Sequence, residues 1–222
     1  MGRLNPNQLI VEGSDDLFSV KGLMRARVVW PEPKENAPVW IDAAGGVEKI
    51  LERGYLDTKL TVRGLKTLGV ILDADTNPQG RYESFRNLCS GFFPDLPREM
   101  PTEGLIAENA EHLRLGLWIM PDNTSEGTLE TFLHFLIPEE SATIWDHATK
   151  SVAIARTLGA SCRDCHVPKA NLYTWLAWYD EPGQNPGTAL TRKILDPHSP
   201  SSAAFVQWFR DLYQLQEAIL RA

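Results

Sequence analysis

The sequence predicts an α/β domain with a mostly parallel sheet flanked by helices, followed by a C-terminal helical extension. Two observations support this prediction. Short apolar runs alternate with segments of helical spacing as far as Pro138, which is the order expected for parallel strands joined by helices. Beyond Pro138 the strand pattern fades and helical spacing continues. We therefore assign residues 1–138 to an α/β core and residues 139–222 to a helical extension packed on that core.

Each predicted strand is a short, β-branched apolar run that ends at turn-forming or acidic residues. The four runs are Gln8–Glu12, Val39–Ala43, Leu65–Asp75 and Arg114–Met120. Each predicted helix has apolar side chains three and four residues apart. The helices are Asp15–Arg27 with Ser14 as N-cap, Val47–Leu56, Gly80–Leu88, Thr128–Phe135, Ser141–Leu158, Ala170–Tyr179 and Ser202–Leu220. The Pro- and Gly-rich segment Asp180–Ser201 is predicted to be a loop.

Composition narrows the class of protein. The chain has 222 residues, of which 43% are hydrophobic, and a net charge of −7, which argues against nucleic-acid binding by bulk electrostatics. No apolar run approaches the ~20 residues of a membrane helix, so no membrane partner is expected. The first residues, Met1–Asn7, contain no apolar signal region, and three cysteines do not suggest a disulfide framework. A cytoplasmic protein is therefore expected.

Two acidic patches follow two of the apolar runs. Glu12, Asp15 and Asp16 come after the first run, and Asp73 and Asp75 end the third. The carboxyl ends of parallel strands meet at one edge of a sheet, where open α/β sheets bind ligands. Clustered carboxylates repel one another unless a cation lies between them, and hard oxygen ligands favour Mg²⁺ or Mn²⁺. The sequence therefore predicts a divalent-metal site at this edge.

These motifs resemble those of the Toprim domain, the catalytic module of topoisomerases, bacterial primases and several nucleases. The shared features are a Glu-Gly pair at the end of the first strand (Glu12-Gly13) and an Asp-x-Asp motif at the end of a later strand (Asp73-Ala74-Asp75). They occur in the expected order and are separated by one βα unit. The resemblance implies a Rossmann-like Toprim sheet and metal-dependent phosphoryl chemistry.

A closer similarity is to the Toprim half of the OLD (overcoming lysogenization defect) nucleases and to small standalone Toprim-like proteins. It covers roughly residues 8–180. In that pattern Asp16 is a second acidic residue after Glu12, Glu130 belongs to a downstream acidic element, and Lys169 comes from a later helix. The chain has no Gly-x-x-x-x-Gly-Lys-Ser/Thr loop. A separate ATPase partner is therefore plausible, and phage defence or nucleic-acid processing is the implied setting.

The resemblance predicts a nuclease that cleaves DNA or RNA with two Mg²⁺ or Mn²⁺ ions. Two such ions about 4 Å apart activate a water molecule and stabilise the leaving oxygen of a phosphodiester. The predicted metal ligands are Glu12, Asp16, Asp73, Asp75 and Glu130. Glu12 is also a predicted general acid or base. Lys169 is predicted to offset charge in the transition state.

Other interpretations of the same residues stay open. Asp16 suits the first turn of a helix, and Asp73 and Asp75 suit a turn or cap. Glu130 fits a capping box, and Lys169 fits an exposed surface. Two alternative functions follow, namely an RNA-maturing Toprim nuclease and a non-catalytic Toprim-like subunit of a larger complex.

The segment Cys162-Arg163-Asp164-Cys165-His166 matches the string that attaches c-type haem. Because no export signal is visible, haem attachment is disfavoured. A zinc site would need a fourth ligand that the spacing does not supply. The tryptophans invite a base-stacking function, but Trp175, Trp178 and Trp208 occur at helical spacing with other apolar residues. We therefore expect these three to pack in the core.

Overall fold

The computed structural model describes residues 5–31 and 36–218. Within these ranges, five strands form one sheet in the order β2-β1-β3-β5-β4, and helices cover both of its faces. The strands are β1 Asn7–Val11, β2 Trp40–Ala43, β3 Thr67–Asp73, β4 Leu105–Glu108 and β5 Arg114–Met120. Only β4, at one edge, pairs antiparallel with its neighbour. The predicted fold class, a mostly parallel sheet with helices on both sides and a helical C-terminus, is confirmed.

The helices mostly follow the predicted pattern. They are α1 Ser14–Arg27, α2 Val47–Ile50, α3 Tyr55–Leu60, α4 Pro78–Cys89, α5 Leu129–His134, α6 Ala142–Thr157, α7 Val167–Leu176, α8 Pro186–Thr191 and α9 Ala203–Tyr213. The predicted helix Val47–Leu56 was wrong as a single element, because Gly54 has a φ of 88° and separates α2 from α3. Gly13, rather than Ser14, is the N-cap of α1.

Two elements were absent from the prediction, one predicted helix is shorter, and α7 begins and ends three residues before the predicted helix Ala170–Tyr179. Strand β4 adds an edge to the sheet, and α8 lies within the predicted loop Asp180–Ser201. Asn185 caps α8 by accepting a hydrogen bond from the Thr188 amide. Helix α9 ends at Tyr213 because Gln214 adopts a left-handed conformation with a φ of 54°. The predicted end of this helix, Leu220, lies outside the described residues.

Alternate strand residues point to opposite faces of the sheet, so two hydrophobic clusters form. One contains Leu9 and Ile71 together with side chains from α1 and α5–α9. The other contains Ile10 and Val70 together with side chains from α2–α4. Helix α1 follows β1 onto the first face and α4 follows β3 onto the second. The crevice between the carboxyl ends of β1 and β3 is therefore a topological switch point, where α/β sheets bind ligands.

The C-terminal helix packs directly against the centre of the sheet. A Cβ atom at Gly69 in β3 would come within 2.3 Å of the Tyr213 hydroxyl, and one at Gly116 in β5 within 2.4 Å of Leu212 Cδ2. The Tyr213 hydroxyl donates a hydrogen bond to the Gln8 carbonyl at 2.8 Å. The predicted extension and the predicted core thus contribute side chains to the same hydrophobic cluster. The domain boundary between them at residue 138 stays a prediction.

The tryptophan prediction holds for two residues of three. Trp175 and Trp208 are buried. Trp178 is 46% exposed and stacks on His147 with ring centroids 5.1 Å apart, so its predicted core position was wrong. Helix α7 ends two residues before Trp178, which removes it from the buried helical face.

Among the described residues, no helix has both the length and the apolar character needed to cross a membrane.

Candidate active site

The side chain of Glu12 connects the carboxyl ends of β1 and β3. Its Oε1 atom accepts a hydrogen bond from the Asp73 amide at 2.8 Å. The Glu12 carbonyl accepts further bonds from the amides of Gly45 and Gly46, each at 2.9 Å, in the loop after β2. The Glu12 backbone and carboxylate are therefore fixed by three neighbouring strand ends.

Asp16 is held at the start of α1 by the loop that precedes it. The Gly13 amide donates to Asp16 Oδ2 at 3.0 Å, which satisfies a donor that the helix itself leaves unpaired. Asp16 is only 8% exposed. One oxygen of the Asp16 carboxylate thus caps α1. The carboxylate is buried near Glu12 and is not exposed to bulk solvent.

Asp73 brings the start of α5 to the same edge of the sheet. Its Oδ1 atom accepts a hydrogen bond from the Leu129 amide at 2.8 Å. Glu130 is the next residue along α5, and its Oε2 atom accepts a bond from the Thr128 hydroxyl at 2.8 Å. The Glu130 side chain is only 12% exposed. The hydrogen bond between the Leu129 amide and Asp73 therefore positions Glu130, the next residue, in the pocket.

Helix α7 supplies the cation of the site. Lys169 Nζ lies 2.7 Å from Asp15 Oδ2 and 3.9 Å from Glu130 Oε1. The Tyr173 hydroxyl donates to the same Asp15 oxygen at 2.9 Å. The hydrogen bond with Asp15 raises the pKa of Lys169, so its ammonium group stays charged at neutral pH. Asp15 and Tyr173 together hold Lys169 at the rim.

These groups line one open pocket of about 280 Å³. Its acidic and basic lining residues are Glu12, Asp15, Asp16, Asp73, Glu130 and Lys169. Five of the predicted site residues, namely Glu12, Asp16, Asp73, Glu130 and Lys169, are therefore brought together. If every group were ionised, the five carboxylates and one ammonium group would leave four excess negative charges, which two divalent cations would balance.

Asp75 is the predicted site residue that the structure places elsewhere. Its carboxylate forms an ion pair with Arg81 and does not line the pocket. Asp75 has a φ of 50°, and its backbone forms two hydrogen bonds with Gly127. This left-handed turn directs the chain after β3 toward the start of α4. The structure thus gives Asp75 a partner in Arg81, and its role as a metal ligand stays a prediction.

Sequence reasoning missed two residues of the site. Asp15 was named only as a member of the first acidic patch, and Tyr173 was not among the candidate residues. Tyr173 follows Lys169 by four residues, so the two side chains share a face of α7. That spacing was visible in the sequence. Their common partner Asp15 was not, because 154 residues separate it from Lys169.

The segment Cys162–His166 is free of disulfides in this structure. Cys162 is partly exposed, Cys165 is exposed, and the His166 ring lies 2.6 Å from the guanidinium group of Arg163.

Over residues 5–31 and 36–218, no three His, Cys, Asp or Glu side chains are arranged as a preformed metal site. In the acidic pocket one reason is visible, since Glu12, Asp16 and Asp73 each use one oxygen to accept a backbone amide. Metal binding there would use their second oxygens or replace those bonds.

Comparison with protein families gives one match. A family model described as a protein of unknown function (DUF3226) matches residues 6–214. The chain belongs to this family. The match runs from β1 to the end of α9, so the acidic pocket and the C-terminal helices both lie within the DUF3226 region. Comparisons with curated proteins and with solved structures give no significant match.

The buried carboxyl groups of this DUF3226 pocket have unusual proton affinities. Burial raises the pKa of Glu12 from 4.5 to about 7, and the neighbouring Asp16 carboxylate adds to the rise. Burial likewise raises the pKa of Asp16 from 3.8 to about 6, aided by Glu130. The pKa of Asp73 lies well above its usual range, because of burial and of the Glu12 carboxylate beside it. In metal-free protein at neutral pH, this pocket holds protons that a cation would displace.

These shifts predict that metal-free protein loses stability as the pH rises. A carboxyl group whose folded-state pKa is raised stabilises the fold fully below its unfolded pKa, and this contribution is lost as the pH rises through the folded pKa. For Glu12 the window runs from pH 4.5 to about 7, and the full effect corresponds to about 3 kcal/mol. We expect urea unfolding in EDTA to give a lower free energy of unfolding at pH 8 than at pH 5.

Glu12→Gln is the control for this pH effect, because glutamine keeps the acceptor for the Asp73 amide and does not titrate. The variant should lose the Glu12 part of the decrease between pH 5 and pH 8. An identical pH dependence in wild type and variant would mean that Glu12 does not have the raised pKa.

Proposed function

We propose that the protein is a nuclease that cleaves DNA or RNA phosphodiester bonds with Mg²⁺ or Mn²⁺ bound in the acidic pocket. The observation that carries this proposal is the convergence of Glu12, Asp16, Asp73 and Glu130 at the switch point of the sheet, with Lys169 at the rim. The motif order that resembles Toprim domains of the OLD type agrees with it. A phosphodiester is an anion, and an acidic pocket accepts it only when cations neutralise the carboxylates.

The donor set suits hard divalent ions. Its carboxylate oxygens are the ligands that Mg²⁺ and Mn²⁺ prefer, and the four excess charges match two such ions. Bound ions of this kind polarise a phosphoryl oxygen and lower the pKa of a water molecule. Glu12, Asp16, Asp73 and Glu130 would hold them.

Two groups of the chain are suited to the reaction itself. Lys169 is fixed by Asp15 and remains 49% exposed, so its ammonium group is accessible to a phosphate oxygen at the rim. There it would stabilise negative charge in the transition state. Glu12 lies in the same pocket at the carboxyl end of β1, where its carboxyl group would protonate the leaving oxygen or deprotonate the attacking water, with its proton affinity set by the bound ions.

One observation favours the alternative of a non-catalytic Toprim-like subunit. Each of Glu12, Asp16 and Asp73 connects two parts of the backbone through a hydrogen bond, so these acids also have a structural purpose. However, capping hydrogen bonds do not require five carboxylates in one pocket, where their mutual repulsion destabilises the fold. We therefore favour the nuclease. A cytoplasmic location and a separate ATPase partner accompany this proposal.

The proposed function is tested by incubating the purified chain with supercoiled plasmid, single-stranded DNA and structured RNA. Each substrate is combined with Mg²⁺, Mn²⁺ or EDTA. We expect cleavage of at least one substrate with a divalent ion and none in EDTA. Preferential cleavage of structured RNA would favour the RNA-maturing alternative. Absence of cleavage by a folded protein that still binds Mn²⁺ would favour a subunit that needs its ATPase partner, and absence of both cleavage and Mn²⁺ binding would favour the non-catalytic subunit.

A further inference from the structure

A groove between α1 and α8 begins one helical turn from the acidic pocket. It has a volume of about 340 Å³, and its lining includes Phe18, Lys21 and Arg25 from α1 and Thr188 and Arg192 from α8. The two helices pack so closely that a Cβ atom at Gly22 would lie 2.8 Å from the Gly187 carbonyl oxygen. Only glycine fits at this contact. The two glycines therefore form the floor of the groove, and the longer side chains of both helices line its walls.

Helix α1 connects the groove to the pocket. Ser14 and Asp15 line the pocket at the start of α1, while Phe18, Lys21 and Arg25 line the groove. Ser14, Phe18, Lys21 and Arg25 follow one another by four, three and four residues, so they share one face of the helix. At 1.5 Å per residue, that face runs for about 16 Å from the pocket.

The groove carries positively charged side chains, although the chain as a whole is acidic. The chain carries a net charge of −7, but Lys21, Arg25 and Arg192 place three cationic groups in this groove. Arg192 is ion-paired with Glu181 at 2.7 Å, and Lys21 and Arg25 also have interaction partners, so a bound phosphate would add to or replace these contacts. Phe18 is 48% exposed, which places a large aromatic ring between the acidic pocket and the cations.

We propose that this groove binds a single-stranded segment of nucleic acid and leads it into the acidic pocket. Lys21 and Arg25 contact backbone phosphates, and the Phe18 ring stacks on an unpaired base next to the scissile bond. Cationic grooves combined with exposed aromatic rings are the usual way in which proteins bind single strands without sequence preference. This inference rests on the proposed nuclease function and identifies its substrate as an unpaired strand.

The test is fluorescence anisotropy with a labelled single-stranded DNA oligonucleotide of mixed sequence, and with the matching RNA, in Ca²⁺ to limit cleavage. Lys21→Gln/Arg25→Gln is expected to weaken binding at least about tenfold and to reduce the dependence of log K on log salt by about 0.7 for each lost phosphate contact. Phe18→Ala is expected to weaken binding about tenfold, because one stacked base is lost.

Two matched variants control for charge and for aromatic surface. Arg63→Gln/Arg98→Gln removes two exposed cations outside the groove and the pocket, and Phe135→Ala removes a ring that is 41% exposed. Both should bind within about twofold of the wild type. Unchanged binding by Lys21→Gln/Arg25→Gln, or no binding by the wild type at 50 mM salt, would overturn the proposal.

Hydrolysis of bis(p-nitrophenyl) phosphate with Mn²⁺ separates this proposal from the proposed function, since that small diester does not reach the groove. We expect the wild type and Lys21→Gln/Arg25→Gln to hydrolyse it equally. If the wild type binds the oligonucleotide through the groove but hydrolyses neither substrate, the groove stands and the nuclease proposal fails. If it hydrolyses the small diester but the groove variants bind normally, the nuclease stands and the groove proposal fails.

Discussion

Asp73→Asn is expected to reduce the rate of metal-dependent nucleic-acid cleavage by about 10³-fold, equivalent to about 4 kcal/mol in activation free energy. Asparagine keeps an oxygen for the hydrogen bond from the Leu129 amide, so the connection between β3 and α5 is preserved. The variant lacks the negative charge that a divalent ion needs at the centre of the pocket. Gel-based initial rates in Mn²⁺, with wild type beside the variant, measure this effect.

The same substitution should not weaken the fold in the absence of metal. Asp73 is buried beside Glu12 and Asp16, which raises its pKa, so the neutral asparagine avoids the cost of an ionised carboxylate at this position. We expect the melting temperature of Asp73→Asn in EDTA to equal or exceed that of wild type. Asp57→Asn, on the exposed side of α3, is the matched control and should retain full cleavage. Equal cleavage by wild type and Asp73→Asn would contradict the proposed role of the pocket.

Gly69→Ala is expected to destabilise the protein by about 3 kcal/mol, since overpacking in a core costs energy through forced displacement. The added methyl group would lie 2.3 Å from the Tyr213 hydroxyl and 2.9 Å from Leu9 Cδ1. Tyr213 cannot easily move aside, because its hydroxyl is bonded to the Gln8 carbonyl in the neighbouring strand. Urea unfolding followed by circular dichroism measures the loss.

Gly91→Ala is the matched control for that substitution. A Cβ at Gly91 would meet no atom within 4 Å, and its backbone conformation is not left-handed. This variant should remain within about 0.5 kcal/mol of the wild type. If Gly69→Ala were no less stable than Gly91→Ala, the close packing of α9 on the sheet would not contribute to stability.

The parts of the fold that the sequence predicted correctly are those with strong local patterns. The run Leu68–Leu72 is apolar at nearly every position, which is typical of a strand buried on both faces. Such strands were placed within two residues of their observed ends. The proximity of Glu12 and Asp73 then followed from parallel topology, because carboxyl ends of neighbouring strands share an edge.

The elements that were missed are short or depend on distant contacts. Strand β4 has four residues and one partner, and α8 has six residues with Pro186 and Gly187 at its start. Both patterns are too short to separate from a loop. Their formation depends on tertiary packing, as in the contact between Gly187 and Phe18 across α1 and α8.

The same division applies to the candidate site. Glu12, Asp16 and Asp73 lie near strand ends, so local pattern and topology together indicated them. Lys169 was placed by resemblance alone, and its contact with Asp15 depends on how α7 packs against α1. The pairing of Asp75 with Arg81 was not foreseeable, because it follows from the left-handed conformation of Asp75, two residues after the end of β3.

Binding of Mn²⁺ to the purified chain tests the metal site most directly. Mn²⁺ titration at pH 7.5, with free ion measured by electron paramagnetic resonance, gives both affinity and stoichiometry. We expect wild type and Asp57→Asn to bind about two ions per chain, in line with a two-metal site, and Asp73→Asn to bind with at least about tenfold weaker affinity. Absence of saturable Mn²⁺ binding by the wild type, or identical binding by Asp73→Asn, would contradict a divalent-metal site in the acidic pocket.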